Sequence, residues 1–154
     1  MSDLQQPPAE PRYRRVVLKI SGEGFVHAGE RGIDLHLLGE YVRAETDAGM
    51  PLPFIPPLSL GVGVIYEGAT WRASADVRWY DDQDRVPATI TPTAGYTMVS
   101  SLVGYRIIGS GLMHEILLRG INLRDVDARL ATSRLKDVVP LPGRNISVVY
   151  RLIF

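Results

Sequence analysis

The chain has 154 residues, enough for one domain with a real core and too few to presume two complete ones. Its 17 basic and 17 acidic residues cancel to zero formal charge, which excludes a global field that would draw the protein to nucleic acid or an anionic surface. It contains no cysteine, so disulfide frameworks, thiolate nucleophiles and cysteine-based zinc sites are excluded together.

Residues 1–11 (MSDLQQPPAEP) are polar and proline-rich without periodicity and read as a disordered leader. Residues 14–20 (RRVVLKI) predict a short strand that ends in the turn-forming set Ser21-Gly22-Glu23-Gly24. Asp34 is placed to cap a helix in which Leu37, Leu38, Tyr41 and Val42 share a face, with Ile33 and Leu38 as a hydrophobic staple. The run is too short for its period to decide, and residues 40–46 equally predict a strand. In the segment from Asp47 to Pro57, four prolines in seven residues exclude both helix and sheet interior.

Beyond the prolines the period becomes two. Residues 69–80 set Ala69, Trp71, Ala73, Ala75, Val77 and Trp79 against Thr70, Arg72, Ser74, Asp76, Arg78 and Tyr80. Segments 58–66, 97–107 and 145–154 alternate in the same way, and 112–122 does so less regularly, with Glu115 and Arg119 on one face. Five strands are therefore expected, with 40–46 as a possible sixth. They are joined alternately by short turns at 67–68 and 108–111 and by long loops at 81–96 and 123–144.

A soluble β-sandwich also alternates, and remains an alternative. Two details favour a membrane. Full charges (Arg72, Asp76, Arg78, Arg106, Arg151) sit on the polar faces, while the apolar faces place aromatics near strand ends. Trp71 and Trp79 are also roughly 26 Å apart along their strand, about 20 Å along the normal of a tilted sheet, close to the spacing of the aromatic girdles of a membrane barrel. A spanning sheet must close to pair its backbone, and about eight strands is the smallest closure, so five or six strands read as part of a larger barrel. The fold expected is mainly β, an antiparallel meander of five to six strands forming a partial barrel, preceded by a short N-terminal strand/helix segment.

Residues 39–154 resemble the C-terminal end of a TonB-dependent outer-membrane receptor. The resemblance rests on the strands and on the tail, in which Asn122-Leu123, Leu135-Lys136-Asp137 and the run from Pro140 to Asn145 precede a final strand. It implies outer-membrane lipid as surroundings, and an alternating last strand that stops on an aromatic and is read by the barrel-assembly machinery. Tyr150, Leu152 and Phe154 are the residues that match this signal. Plug, TonB-contacting segment and most barrel strands are missing from the resemblance, so TonB would be met only through those parts and transport by the chain alone is not expected. The location implied by the resemblance is the outer membrane, and because no secretory signal is recognisable in the first thirty residues the expectation is cytoplasmic if the chain is not exported.

Residues 12–34, RYRRVVLKISGEGF followed by GERGID, resemble the beginning of bacterial uridylate kinase. That resemblance implies Lys19, Ser21 and Gly22 as nucleotide-phosphate contacts, a role that a lysine and the free N–H groups of a turn suit. The rest of that enzyme does not follow, so the chain reads as a kinase-like leader over 1–38 and a receptor segment over 39–154, not an enzyme, with an incomplete kinase as the alternative. His27, His36 and His114 lack ligand spacing, and Asp81, Asp82 and Asp84 lack that of a calcium loop, so neither a metal nor a cofactor is expected. Gly61-Val62-Gly63 has no third glycine for a dinucleotide fingerprint, and Asn145-Ile146-Ser147, a glycosylation triplet, lies in an expected strand.

Overall fold

The computed structural model describes residues 16–22, 32–109 and 111–154. These form one seven-stranded antiparallel sheet in which every strand pairs with its neighbours in sequence. The strands are β1 (Val16–Gly22), β2 (Gly32–Arg43), β3 (Ser59–Glu67), β4 (Trp71–Tyr80), β5 (Tyr96–Ile108), β6 (Met113–Ile121) and β7 (Asn145–Ile153). The expected leader, Glu23-Gly24 and His27 lie outside the described residues.

The mainly-β meander agrees with the period-two reading, and the last five strands fall close to their expected bounds. The helix expected from Asp34 is not formed, because β2 occupies those residues and runs without a break through residues 35 to 39. The reason is pairing. β2 is held along its length by β3, from Gly32↔Glu67 to Glu40↔Ser59, and the tertiary ladder overrides a short stretch with a helical apolar period. The expected turn at Ser21-Gly22 is likewise strand, with Ser21↔Leu38 and Gly22↔Leu37 as ladder pairs.

Connections alternate in length, as the sequence suggested. Short turns close β3 to β4, where Gly68 N donates to Trp71 O (2.8 Å), and β5 to β6, where Gly109 N donates to Leu112 O (2.9 Å). Long loops at 44–58, 81–95 and 122–144 gather at the opposite end of the sheet. The prolines lie in the first of these, outside the ladders, as their missing N–H requires.

Among the described residues the sheet has no second layer. Among the described residues the only buried apolar side chains are Val42, Leu117, Ala128 and Ala131, while Ile33, Leu35, Leu37, Leu60, Val62 and many others stay exposed. A sandwich of this length would bury one face of each sheet against the other. None of β2 to β7 does so, which argues against the soluble-sandwich alternative.

Candidate functional site

The ladder registers sort the strand residues onto two faces. One face carries Leu35 beside Val64, Val62 beside Val77, Trp71 beside Tyr105, Val103 beside Leu118, and Ile116 beside Tyr150. The other carries Asp34, Glu40, Glu67, Arg72, Asp76, Arg78, Arg106, Glu115, Arg119 and Arg151, at positions of the opposite parity. Across β2 to β7 the one Asp, Glu, Lys or Arg on the apolar face is Arg43, at the last position of β2. Aromatic residues mark both ends of the apolar face. Trp71 packs on Tyr105 with ring centroids 4.6 Å apart near the short turns, and Trp79 lies near the long loops.

The charged face has a centre at Glu115, whose side chain is 2 % exposed. Its Oε1 accepts from Arg106 Nε at 3.1 Å, and its Oε2 accepts from Arg151 at 3.4 Å. Arg72 Nε also lies 3.1 Å from Oε1, but its N–H is not directed at the oxygen, so this contact is an ion pair without a hydrogen bond. Arg106 reaches on to Glu67 at 3.1 Å, so two carboxylates and three guanidinium groups join β3, β4, β5, β6 and β7. Arg72 gets there by crossing Gly104. A Cβ on Gly104 would stand 2.8 Å from Arg72 Cγ and 2.7 Å from Leu117 Cδ2, so only glycine leaves the passage open. The ring of His36 lies over Gly63 on the same face in the same way.

The long loops are tied into a rim. Glu45 accepts from Arg43 (2.9 Å to Nη2) and from Arg85, which joins the loop at 44–58 to the loop at 81–95. Those hydrogen bonds, the one from Arg85 foremost, hold the Glu45 carboxyl below the ordinary carboxylate range. Gln83 Nε2 donates to Ile55 O at 2.8 Å across the same pair of loops. The loop at 122–144 then closes on the loop at 81–95 through Lys136, which is buried. Its ammonium donates to Thr91 O, Thr91 Oγ1 (2.9 Å) and Pro92 O (3.2 Å), while Thr91 Oγ1 donates to Asp137 at 2.7 Å.

The start of this last loop explains why Asn122 is where it is. Its φ of 50° is a left-handed conformation that asparagine tolerates better than most residues. Fully buried, its amide donates to Val126 O (2.9 Å) and Pro142 O (3.1 Å), and its oxygen accepts from Val126 N (3.0 Å). One side chain thus pins both ends of the loop. Asp125 Oδ1 adds a bond from Arg144 N at 2.8 Å beside Gly143.

Of the residues singled out from sequence, Lys19, Ser21 and Gly22 occupy β1 ladder positions opposite Glu40, Leu38 and Leu37. Tyr150, Leu152 and Phe154 are exposed at the short-turn end of β7, and Tyr150 Oη lies 2.6 Å from His114 Nδ1. His36, His114 and the aspartates at 81, 82 and 84 do not converge, and no group of three potential metal ligands occurs among the described residues. Reading the sequence alone missed Glu115 as a centre, although the short turn after Ile108 already sets Arg106 opposite it.

No helix among the described residues is long and apolar enough to cross a membrane, a fact that says nothing of strands. Residues 17–123 match the family described as TonB dependent receptor-like, beta-barrel. Among solved structures, the copper transporter OprC is similar with a TM-score of 0.64 and 22 % identity, over 78 % of this chain. At that identity the likeness is one of fold, and the chain spans about a fifth (20 %) of the length of OprC. No curated protein matches the chain. The resemblance to uridylate kinase finds no support, since the family match begins at residue 17 and runs through Lys19, Ser21 and Gly22.

Proposed function

The chain belongs to the TonB-dependent receptor-like β-barrel family and is a segment of such a barrel, and on that premise we propose that its sheet is part of the wall of an outer-membrane transporter. The apolar face meets lipid and the charged face lines the interior. The short turns then point to the periplasm and the three long loops to the outside, the usual arrangement of outer-membrane barrels. The single observation that carries this reading is the sorting of charge, which leaves Arg43 alone among the charged strand residues on the apolar face of β2 to β7.

Physical cost explains the sorting. A charge held at the bilayer midplane on a lipid-facing strand costs about 2–4 kcal/mol, whereas an interior position is hydrated or paired. The interior network around Glu115 cross-links five strands at the periplasmic end and stiffens the wall where other parts of a receptor would be seated. Passage of a substrate belongs to the complete barrel, to which this wall contributes. Contact with TonB is likewise made through other parts of the receptor.

In the assembly reading, Tyr150, Leu152 and Phe154 are the outward-facing residues by which the barrel-assembly machinery takes hold of β7. The test is to export the chain behind an added signal sequence and to extract membranes with alkaline carbonate. The expected result is a chain that stays in the outer-membrane pellet, and a Phe154→Ala variant that accumulates in the periplasm or is degraded. A well-folded monomer in detergent-free buffer would contradict the barrel, and unchanged assembly of the Phe154 variant would contradict the role of the terminal residues.

A further inference from the structure

We propose that the interior face holds a small oxyanion, the carboxylate or phosphate group of a solute moving along the wall, between Arg72 and Arg119. The inference rests on the barrel reading and deepens it by naming the class of solute. The interior face of β4 to β7 carries five arginines, Arg72, Arg78, Arg106, Arg119 and Arg151, against Asp76 and Glu115, with Glu67 of β3 reaching in. Arg72, Arg106 and Arg151 share Glu67 and Glu115, which leaves that network one positive charge in excess. Arg78 and Asp76 stand two residues apart on β4 and offset each other. Arg119 is exposed and makes no ion pair among the described residues, so it is the second positive charge without a counterpart.

The register brings the two excess charges to one place. Glu67, Arg72, Ser74 and Leu102 line a cleft of about 170 Å³ beside the network. Arg119 is the ladder partner of Leu102, which sets their Cβ atoms roughly 5 Å apart on the interior face. Arg72 comes to the cleft with donors to spare. Its Nε is buried without a hydrogen-bond acceptor, and its guanidinium makes no hydrogen bond to another described residue. The carboxylate in the cleft is already engaged, since Glu67 Oε2 accepts from Arg106 at 3.1 Å. An oxyanion can take two N–H groups from one guanidinium fork, with the Ser74 hydroxyl beside it and Arg119 across Leu102. A cationic solute would meet two positive charges and one engaged carboxylate, and a neutral one would leave the arginines without a counter-charge.

Ser147 is the ladder partner of Arg119 on its other side, and with no native cysteine a Ser147→Cys variant takes a single environment-sensitive dye next to the site. The full chain is refolded into phosphatidylcholine vesicles and titrated with succinate, with succinamide as the neutral counterpart and putrescine as the cationic one. Sodium chloride holds the ionic strength constant, so screening alone changes nothing between the three. Expected is a saturable change of dye emission with succinate only. Arg119→Gln should weaken succinate roughly tenfold, the loss of one charge-assisted hydrogen bond. Arg72→Lys, which keeps the charge and removes the fork, should weaken it by a similar factor, while unchanged tryptophan emission reports an intact sheet. Equal responses to the three solutes, or none to any of them, with the dye in water, overturn the site and leave the barrel standing. A succinate response that survives both substitutions overturns it too. Binding of a short glutamate peptide where succinate fails overturns the solute and gives the site to a carboxylate side chain. Quenching of the dye by spin-labelled lipid overturns the barrel reading and the site with it, because this face then lies outside.

Discussion

Replacing Ala75 by arginine tests the two-face assignment at the point where it is most costly to be wrong. Ala75 lies on the apolar face of β4, four residues from Trp71 and four from Trp79, with Val64 and Ser101 beside it. In a membrane whose apolar band is roughly 25 Å tall, that is the midplane, about 12 Å from either interface and beyond the reach of an arginine side chain. The expected cost of Ala75→Arg is about 2–4 kcal/mol, a roughly 30- to 700-fold fall in the folded-to-unfolded ratio. Ser74→Arg, one residue away, points to the interior beside a cleft of about 170 Å³ that Glu67 helps to line. It should cost less than about 1 kcal/mol, because the added charge is hydrated in a cleft that Glu67 and Arg72 both line. Urea titrations of both variants in phosphatidylcholine vesicles, followed by tryptophan emission, give the comparison. Equal costs, or a larger cost at Ser74, would refute the reasoning.

Three further outcomes follow from the interior network and the rim. Glu115→Gln leaves Arg72 and Arg106 facing a neutral amide, and should destabilise the sheet by about 3 kcal/mol in the same titration; a change under about 0.5 kcal/mol would mean that water replaces the carboxylate freely. Lys136→Met removes the donor that latches the loop at 122–144 onto Thr91 and Pro92, at a cost of about 2 kcal/mol confined to the loops. Limited proteolysis should then cut within 81–95 and 122–144 while the strands stay protected, and an unchanged cutting pattern would speak against the latch. Because Glu45 has a lowered pKa when folded, its bridge to Arg85 and Arg43 is in place above the ordinary carboxylate range and is lost as pH falls through the depressed value. The protection of amides in the loop at 44–58, taken relative to their intrinsic exchange rate at each pH, should therefore fall on acidification from about pH 6 to about pH 3, and Glu45→Gln should remove that dependence.

Most of the wall was legible because period two is a strong signal where one face meets lipid or core. The stretch from Trp71 to Trp79 places an apolar residue at every second position without exception, and that regularity marked the strand, the face and the aromatic ends together. β2 was harder to read for a physical reason. Ile33, Leu35, Leu37 and Tyr41 do alternate, but Leu38 and Val42 are apolar on the interior face as well, and together they imitate a helical stripe. Leu38 stands opposite Gly61, which has no side chain to pack against it, a pairing that only the register of β2 on β3 reveals. The Glu115 network follows the same rule, since Arg72 reaches it through a gap at Gly104 that no local pattern announces. The burial of Lys136 was beyond sequence altogether, because it depends on two loops more than 40 residues apart in the chain meeting at one end of the sheet. The phosphate turn at Ser21-Gly22 was misread because a lysine, a serine and a glycine after an apolar run suit a strand as well as a turn.

The most direct test of the account is a cysteine scan along β4, where the absence of native cysteine makes every introduced thiol unique. Cysteines at Ala73, Ala75 and Val77, and at Ser74, Asp76 and Arg78, are labelled with a polarity-sensitive dye after the chain is refolded into vesicles. The predicted result is strict alternation, in which dyes at 73, 75 and 77 report an apolar environment and are quenched by spin-labelled lipid, while those at 74, 76 and 78 report water and are not. Uniform water exposure at all six positions, or quenching that ignores parity, would contradict the wall of a barrel.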